Sequence, residues 1–183
     1  MATIDLIVLG MLKKESLSAY DIQKLVEYRN ISKWVKISTP SIYKKVIQLE
    51  KKGYVKSCLV KEGKMPEQAV YSLTLSGEAQ FEKLMLETAG RPIRIFLDFN
   101  AVIVNLSSLP PQKQQLCLEE IEKNVLSLKA YLEENLNAKE SIEAIPATGL
   151  AVLQQQYILV QTIETWLSSL REQAPNVQED TQS

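Results

Sequence analysis

The stretch STPSIYKKVIQLEKKGYV, residues 38–55, contains the start, the periodic interior and the end of one helix. A hydroxyl side chain at 38 or 39 can cap a helix, and Pro40 suits the first turn, where no amide hydrogen is required. Gly53 suits the left-handed position that closes a helix. We therefore predict a helix from this capping segment to about Lys52.

This predicted helix has two different sides. Ile42, Val46 and Leu49 fall together at about 100° per residue, which indicates a buried stripe. The opposite arc carries no acidic residue and consists of Pro40, Ser41, Lys44, Gln48, Lys51 and Lys52. A helix of this kind can enter the major groove of DNA, with early side chains near base edges and lysines near phosphates.

Basic residues also precede the helix and follow it. Lys36 lies in the preceding linker, and Lys61 and Lys64 lie near a predicted turn, where they can reach the phosphate backbone. Lys45 and Tyr43 lie at the borders of the exposed arc, within reach of phosphates. The predicted DNA contacts are Lys36, Thr39, Ser41, Tyr43, Lys44, Lys45, Gln48, Lys61 and Lys64.

Two helices and a hairpin surround this segment. The first helix is predicted after Thr3 and ends near Lys14, from an apolar stripe at helical spacing. Ser18 and Asp21 fit a capping box, which predicts a second helix that ends around residues 28–30. Residues 54–60 and 69–74 are predicted as two strands of a hairpin, since the turn-rich residues 61–68 separate them. Three helices followed by such a hairpin predict a winged helix-turn-helix.

The second half of the chain has no strand pattern. Helices are predicted at roughly 76–88, 92–107, 111–137 and 146–172, and the polar residues 174–183 are predicted to be disordered. Apolar residues in 111–137 alternate spacings of three and four, as in helices packed side by side. The predicted dimer interface comprises Leu118, Ile121, Val125, Leu128, Leu132, Tyr157 and Trp166. Trp166 and Trp34 also allow an aromatic effector, although packing is the simpler interpretation.

The predicted fold is mainly α-helical with a small β-hairpin wing. Residues 1–77 form the winged helix-turn-helix, 78–173 an antiparallel helical domain for dimerisation or effector binding, and 174–183 a tail. Charge follows this division: 13 Lys and Arg against 7 Asp and Glu give +6 in residues 1–77, and 8 against 15 give −7 in the remainder. This asymmetry favours one module that binds a polyanion and one that does not.

Other functions find little support in the composition. The chain has no histidine and two widely separated cysteines, and it lacks a glycine-rich phosphate loop or a nucleophile elbow, so we predict no enzyme, metal or cofactor. The acidic residues around Glu119 are interpreted as a solvated helix face. Without a run of roughly 20 apolar residues or a signal peptide, the chain is predicted to be cytoplasmic, with no membrane contact.

The order of these elements resembles the PadR family of bacterial transcription regulators, in particular its members with the longer, virulence-activator-like C-terminal domain. Residues 18–22 (SAYDI), 40–43 (PSIY), 49–54 (LEKKGY) and 71–77 (YSLTLSG) carry the resemblance in the first half. Residues 93–97 (IRIFL), the proline pair at 110–111 and Trp166-Leu167 carry it more loosely in the second. In the wing, Glu67-Gln68-Ala69 stands where relatives often have basic residues, so we expect the wing to bind phosphate more weakly.

The resemblance implies a homodimer that binds a pseudo-palindromic operator with two recognition helices in successive major grooves. It implies a repressor of a nearby operon and of its own gene, relieved by a small molecule that the sequence does not identify. Two alternatives stay open: an activator of the same architecture, and a winged helix that binds protein. DNA binding predicts salt-dependent affinity, whereas protein binding predicts sensitivity to substitution at apolar surface.

Overall fold

The structure is a computed structural model that describes residues 2–35, 37, 41–61, 67–140 and 145–173. These residues are mostly α-helical and include a small three-stranded antiparallel sheet, so the predicted fold class is confirmed. The chain divides into two compact units, Met1–Arg94 and Ile95–Ser183. The predicted tail at 174–183 lies outside the described residues.

The N-terminal unit contains four helices and three strands in its described part. In chain order they are α1 (Ala2–Leu12), β1 (Leu17–Ser18), α2 (Ala19–Tyr28), α3 (Ser41–Lys51), β2 (Val55–Val60), β3 (Gln68–Leu73) and α4 (Leu75–Ala89), with a 3-10 turn at Ile31–Lys33.

The local signals in the sequence have the expected structural effect. Ser18 caps α2: its hydroxyl accepts a hydrogen bond from the Asp21 amide at 3.1 Å, and its own amide donates to the Asp21 carboxylate at 3.1 Å. The predicted capping box is therefore confirmed. After α3, Gly53 has φ 73°, the left-handed conformation predicted for the end of this helix.

The sheet has the strand order β1-β3-β2, with both pairs antiparallel. β2 and β3 form the predicted wing, in which Ser57 pairs with Tyr71. The short strand β1 was not predicted, and its Leu17 pairs with the other side of Tyr71. This pairing joins the start of α2 to the wing.

The core of this unit is formed by the inward faces of the first three helices and of the wing. On α3, the predicted stripe is confirmed, since Ile42, Val46 and Leu49 are all buried. They belong to one cluster with residues of α1, α2 and the sheet, the most buried of which are Val8, Leu9, Ile22, Val26 and Val55. This packing holds α3 with its opposite side toward solvent.

Helix α4 belongs to the N-terminal unit. Leu84 is buried in its core, and Phe81 lies against Gly10 of α1. Lys13 and Glu78 form an ion pair at 3.8 Å across the same two helices. The boundary predicted after residue 77 therefore falls within α4 and is too early, because this helix completes the core of the winged helix.

The C-terminal unit is a long helical hairpin preceded by short helical turns. It contains α5 (Asn100–Ile103), a 3-10 turn at Leu106–Ser108, α6 (Pro111–Glu140) and α7 (Ala147–Gln173). The helix predicted at 92–107 is wrong, since residues 92–97 have no helical structure. Ile93 and Phe96 are 91% and 81% exposed, so no packing against the described residues offsets the cost of helix nucleation there.

Helices α6 and α7 bury one stripe each against the other. Leu118, Val125, Val160 and Leu167 are among the buried residues between them. Two ion pairs join the helices, Lys129 with Glu164 and Arg171 with Glu122, both at 2.6 Å. The hydrogen bond that the Lys129 ammonium donates to the Glu164 carboxylate raises the pKa of Lys129 above its ordinary value. These pairs fix the register of the hairpin.

Candidate DNA-binding surface

The outer side of α3 presents five side chains in one continuous stripe. Tyr43, Lys44, Ile47, Gln48 and Lys51 are all exposed and follow one another at helical spacing. We call these five residues the α3 stripe. Three of them, Tyr43, Lys44 and Gln48, are among the contacts predicted from the sequence, and Ile47 is not.

The charge of the α3 stripe is entirely positive. Its two lysines have no carboxylate among them, and the one acidic residue of the helix, Glu50, is half-buried. Glu50 accepts a hydrogen bond from the Ser57 amide of the wing at 3.1 Å. Burial, and after it the Glu50 carboxylate, raises the pKa of the neighbouring Tyr71. Glu50 thus connects α3 to the wing and leaves the exposed side basic.

Lys45 does not belong to this surface. Its ammonium lies 2.8 Å from the Asp5 carboxylate of α1, and the two side chains are only 11% and 15% exposed. Periodicity within α3 places Lys45 at the border of the exposed arc, because it contains no information about Asp5. Lys45 therefore belongs to the contact between α1 and α3, and we remove it from the candidate DNA contacts.

The remaining predicted contacts have different positions. Ser41 is half-buried at the start of α3, and Lys61 is exposed directly after β2. Lys36, Thr39 and Lys64 lie outside the described residues. The acidic residue predicted to weaken the wing, Glu67, is exposed just before β3.

The Thr74 hydroxyl connects the end of α3, the wing and the start of α4. It lies 2.7 Å from the carbonyl oxygen of Gly53, to which it donates, and accepts a hydrogen bond from the Gly77 amide at 3.0 Å. A Cβ on Gly77 would lie 2.0 Å from the Tyr54 carbonyl oxygen, so only glycine fits there. The hydrogen bonds of Thr74 and the close approach of Gly77 to Tyr54 together set the position of the wing relative to the α3 stripe.

The residues predicted as a dimer interface separate into two groups. Leu118, Ile121, Val125 and Leu132 are 6–8% exposed and pack within the hairpin of α6 and α7, where Tyr157 also lies, half-buried. Packing against α7 of the same chain therefore explains the spacing of these apolar residues. Leu128 and Trp166 are 50% and 39% exposed.

The hairpin of α6 and α7 has a charged edge and an apolar edge. Both interhelical ion pairs lie along one edge, where Leu126 is flanked by Glu122 and Lys129. The opposite edge, on the other side of the buried seam, carries four exposed apolar side chains. We call these the apolar edge: Leu128, Tyr131, Leu159 and Trp166.

Near this edge the short helix α5 packs on the hairpin. Phe99 stacks on Trp166 with ring centroids 6.0 Å apart and an angle of 24° between the planes. Packing therefore accounts for part of the Trp166 surface. An open groove of about 340 Å³ lies between α5 and α6, lined by Val102, Leu116, Cys117, Glu120, Ile121 and Asn124.

Other kinds of site find no support in the part of the chain that the structure describes. Its cysteine and carboxylate side chains nowhere form a group of three able to hold a metal ion. Cys58 is exposed, Cys117 is half-buried, and neither forms a disulfide. None of the described helices combines the length and the hydropathy needed to cross a membrane.

Comparison with known proteins supports this description of the fold. Residues 16–89 match a family model described as a winged helix DNA-binding domain. This range ends with α4, in agreement with the extent of the N-terminal unit. No curated protein matches the chain in sequence.

Three solved structures are similar to nearly the whole chain. Bacillus subtilis PadR in complex with operator DNA has a TM-score of 0.78 at 20% identity, over 92% of this chain and 96% of that chain. The same protein with p-coumaric acid has a TM-score of 0.73 at 21% identity, over 91% and 92%. The Vibrio cholerae virulence activator AphA has a TM-score of 0.70 at 18% identity, over 95% and 99%. The resemblance to PadR regulators predicted from the sequence is thus confirmed at the level of the fold.

Proposed function

We propose that this chain, a winged helix joined to a helical hairpin in the PadR fold, is a DNA-binding transcription regulator. The observation that carries this proposal is the α3 stripe. Its exposed lysine, glutamine and tyrosine side chains are of the types that bind bases and phosphates, and no carboxylate lies among them to repel the duplex. In this function the protein acts on the nucleoid, in the cytoplasm.

The position of α3 in the fold supports major-groove binding. In a helix-turn-helix, the recognition helix lies in the major groove and its early residues contact base edges. Lys44 and Gln48 lie one turn apart near the start of the α3 stripe, and Lys51 follows near its end. Lys61 follows β2 at the turn end of the wing, and we propose that it contacts the adjacent backbone, so helix and wing together define the proposed interface.

We further propose that the protein acts as a homodimer. Burying the apolar edge against a second copy would remove four large side chains from water, each 38–50% exposed in the single chain. Two recognition helices about 34 Å apart double the contacts with a two-fold symmetric site. In this dimer the acidic C-terminal half provides the contacts between the two copies of the chain.

The comparison with solved structures supports repression over activation only in part. Bacillus subtilis PadR has been solved with operator DNA, whereas AphA is described as an activator. We propose repression of a nearby operon and of the protein's own gene, because a dimer on its own promoter excludes polymerase directly. Activation from the same contacts at a different operator position is the alternative.

The test is a titration against duplex fragments of the protein's own promoter region at two salt concentrations, followed by fluorescence anisotropy. We expect saturable binding that survives competitor DNA and weakens with salt. Equal affinity for the promoter and for random duplex would contradict autoregulation. No affinity for any duplex would instead favour the alternative in which the winged helix binds a protein.

A small aromatic effector is part of the proposal. The PadR structure with p-coumaric acid motivates phenolic acids as the first ligands to test. We expect such a ligand, added to the preformed complex, to release the DNA and lower the anisotropy. Benzoate, which lacks the phenol, is the control, and unchanged anisotropy with phenolic acids would remove them as effectors.

Lys44 and Lys45 give opposite predictions although they are neighbours. Lys44→Ala should weaken binding to all duplexes and reduce the slope of log affinity against log salt by about one unit per subunit, because a phosphate contact is lost. Lys45→Ala should leave this slope unchanged and instead lower the free energy of unfolding by about 1–3 kcal/mol, because the Asp5 carboxylate loses its partner in a largely buried site. Salt titrations and denaturant unfolding of both variants measure the two effects. A reduced slope in Lys45→Ala would return that residue to the interface.

A further inference from the structure

Ile47 has an environment that the fold does not explain. It is 46% exposed, whereas Ile42, Val46 and Leu49 of the same helix are 0–1% exposed and already form its inward face. The core therefore gains little from an isoleucine at this position. A polar residue there would be the ordinary choice for a solvated helix face.

The position of Ile47 on α3 points to contact with DNA. It lies in the middle of the α3 stripe, one turn after Tyr43 and one turn before Lys51, and Gln48 is adjacent to it. If the lysines contact phosphates on the two sides of a groove, the residue between them faces the base edges. Ile47 is the one aliphatic side chain of the stripe.

The major-groove edge of DNA offers one apolar group, the C5-methyl of thymine. A glutamine pairs best with adenine, through the N6 donor and the N7 acceptor. Adenine and thymine are partners in one base pair, so Ile47 and Gln48 together are suited to the two halves of A·T pairs. On this basis, and resting on the proposed function, we propose that Ile47 is a specificity residue that recognises the 5-methyl group of a thymine in each operator half-site.

Replacing thymine by uracil in the operator tests this proposal, because it removes the methyl group and leaves the Watson–Crick pairing unchanged. A duplex that the protein prefers is first selected from random DNA, and its thymines are then replaced by deoxyuridine one at a time. We expect one position in each half-site at which the substitution weakens binding about fourfold, the value for removing one buried methyl group. Changing both half-sites should weaken binding about fifteenfold.

Ile47→Ala completes the experiment. This variant should bind the thymine duplex more weakly than the wild type and should no longer distinguish thymine from uracil at that position. Ile47→Val should retain the discrimination in part. Leu75→Ala changes an apolar residue that is 86% exposed at the start of α4, and should behave as the wild type.

The outcomes separate this inference from the proposed function. Wild-type protein that binds its selected duplex without loss at any uracil position would overturn the role of Ile47 and leave DNA binding intact. A uracil penalty that persists in Ile47→Ala would assign the methyl contact to another residue. Failure to select any preferred duplex would overturn both proposals.

Discussion

Replacing Gly77 with alanine is expected to lower the free energy of unfolding by about 3 kcal/mol or more, a large effect for the addition of one methyl group. The added Cβ would lie 2.0 Å from the Tyr54 carbonyl oxygen and 2.8 Å from the Leu73 side chain. Because the first of these neighbours is backbone, it cannot rotate away. The start of α4 would have to move from the end of α3, and the hydrogen bonds of Thr74 with it.

Gly10→Ala is the matched control, in the same unit and also within a helix. Its added Cβ would meet only the edge of the Phe81 ring at 3.2 Å, and a side chain can shift by a few tenths of an ångström. The gain in helix propensity, about 1 kcal/mol, offsets this contact, so its stability should change little. Thermal unfolding of both variants checks the prediction. Equal midpoints for Gly77→Ala and wild type would mean that α4 tolerates displacement.

Residues that carry the family resemblance have physical roles in the fold. Residues 71–77 supported the family resemblance, and the structure gives the physical reason for two of them: Thr74 caps α4 and Gly77 allows the close approach to Tyr54. The capping box at Ser18 and the left-handed Gly53 were predictable from the sequence, because each signal lies within a few residues of its effect. The first three helices and the wing were therefore found from the sequence.

Features that depend on distant residues were not found. Strand β1 has two residues and exists through its pairing with β3, where Leu17 meets Tyr71. The ion pair of Lys45 depends on Asp5, forty positions earlier in the chain, and it changed the candidate interface. In both cases the tertiary fold determines the partner. The residue pattern of a single helix or strand does not predict that partner.

The apolar seam of α6 shows the same limit in another form. Spacings of three and four correctly indicated a helix packed along one side, but they do not identify the partner. Val125, for example, is 7% exposed within its own chain. A charge there would disrupt the hairpin whether or not a dimer exists, so the test of dimerisation has to use exposed residues.

The double substitution Leu128→Asp and Leu159→Asp is expected to convert the proposed dimer to monomers. Both side chains belong to the apolar edge and are 50% and 41% exposed, so the hairpin itself keeps its buried seam. Sedimentation measures the change in mass, and a far-ultraviolet spectrum identical to that of the wild type shows that the helices remain. Dimers that persist would place the interface elsewhere on the chain.

The same variant should lose operator affinity by about a hundredfold or more, because one recognition helix no longer raises the effective concentration of the other. The control is Leu126→Asp with Ile158→Asp, two apolar residues that are 45% and 53% exposed but lie away from the apolar edge. The control should remain dimeric and bind as the wild type does. If the monomer bound the operator as tightly as the dimer, one α3 stripe would suffice for recognition, and the two-fold symmetric site that we propose would be wrong.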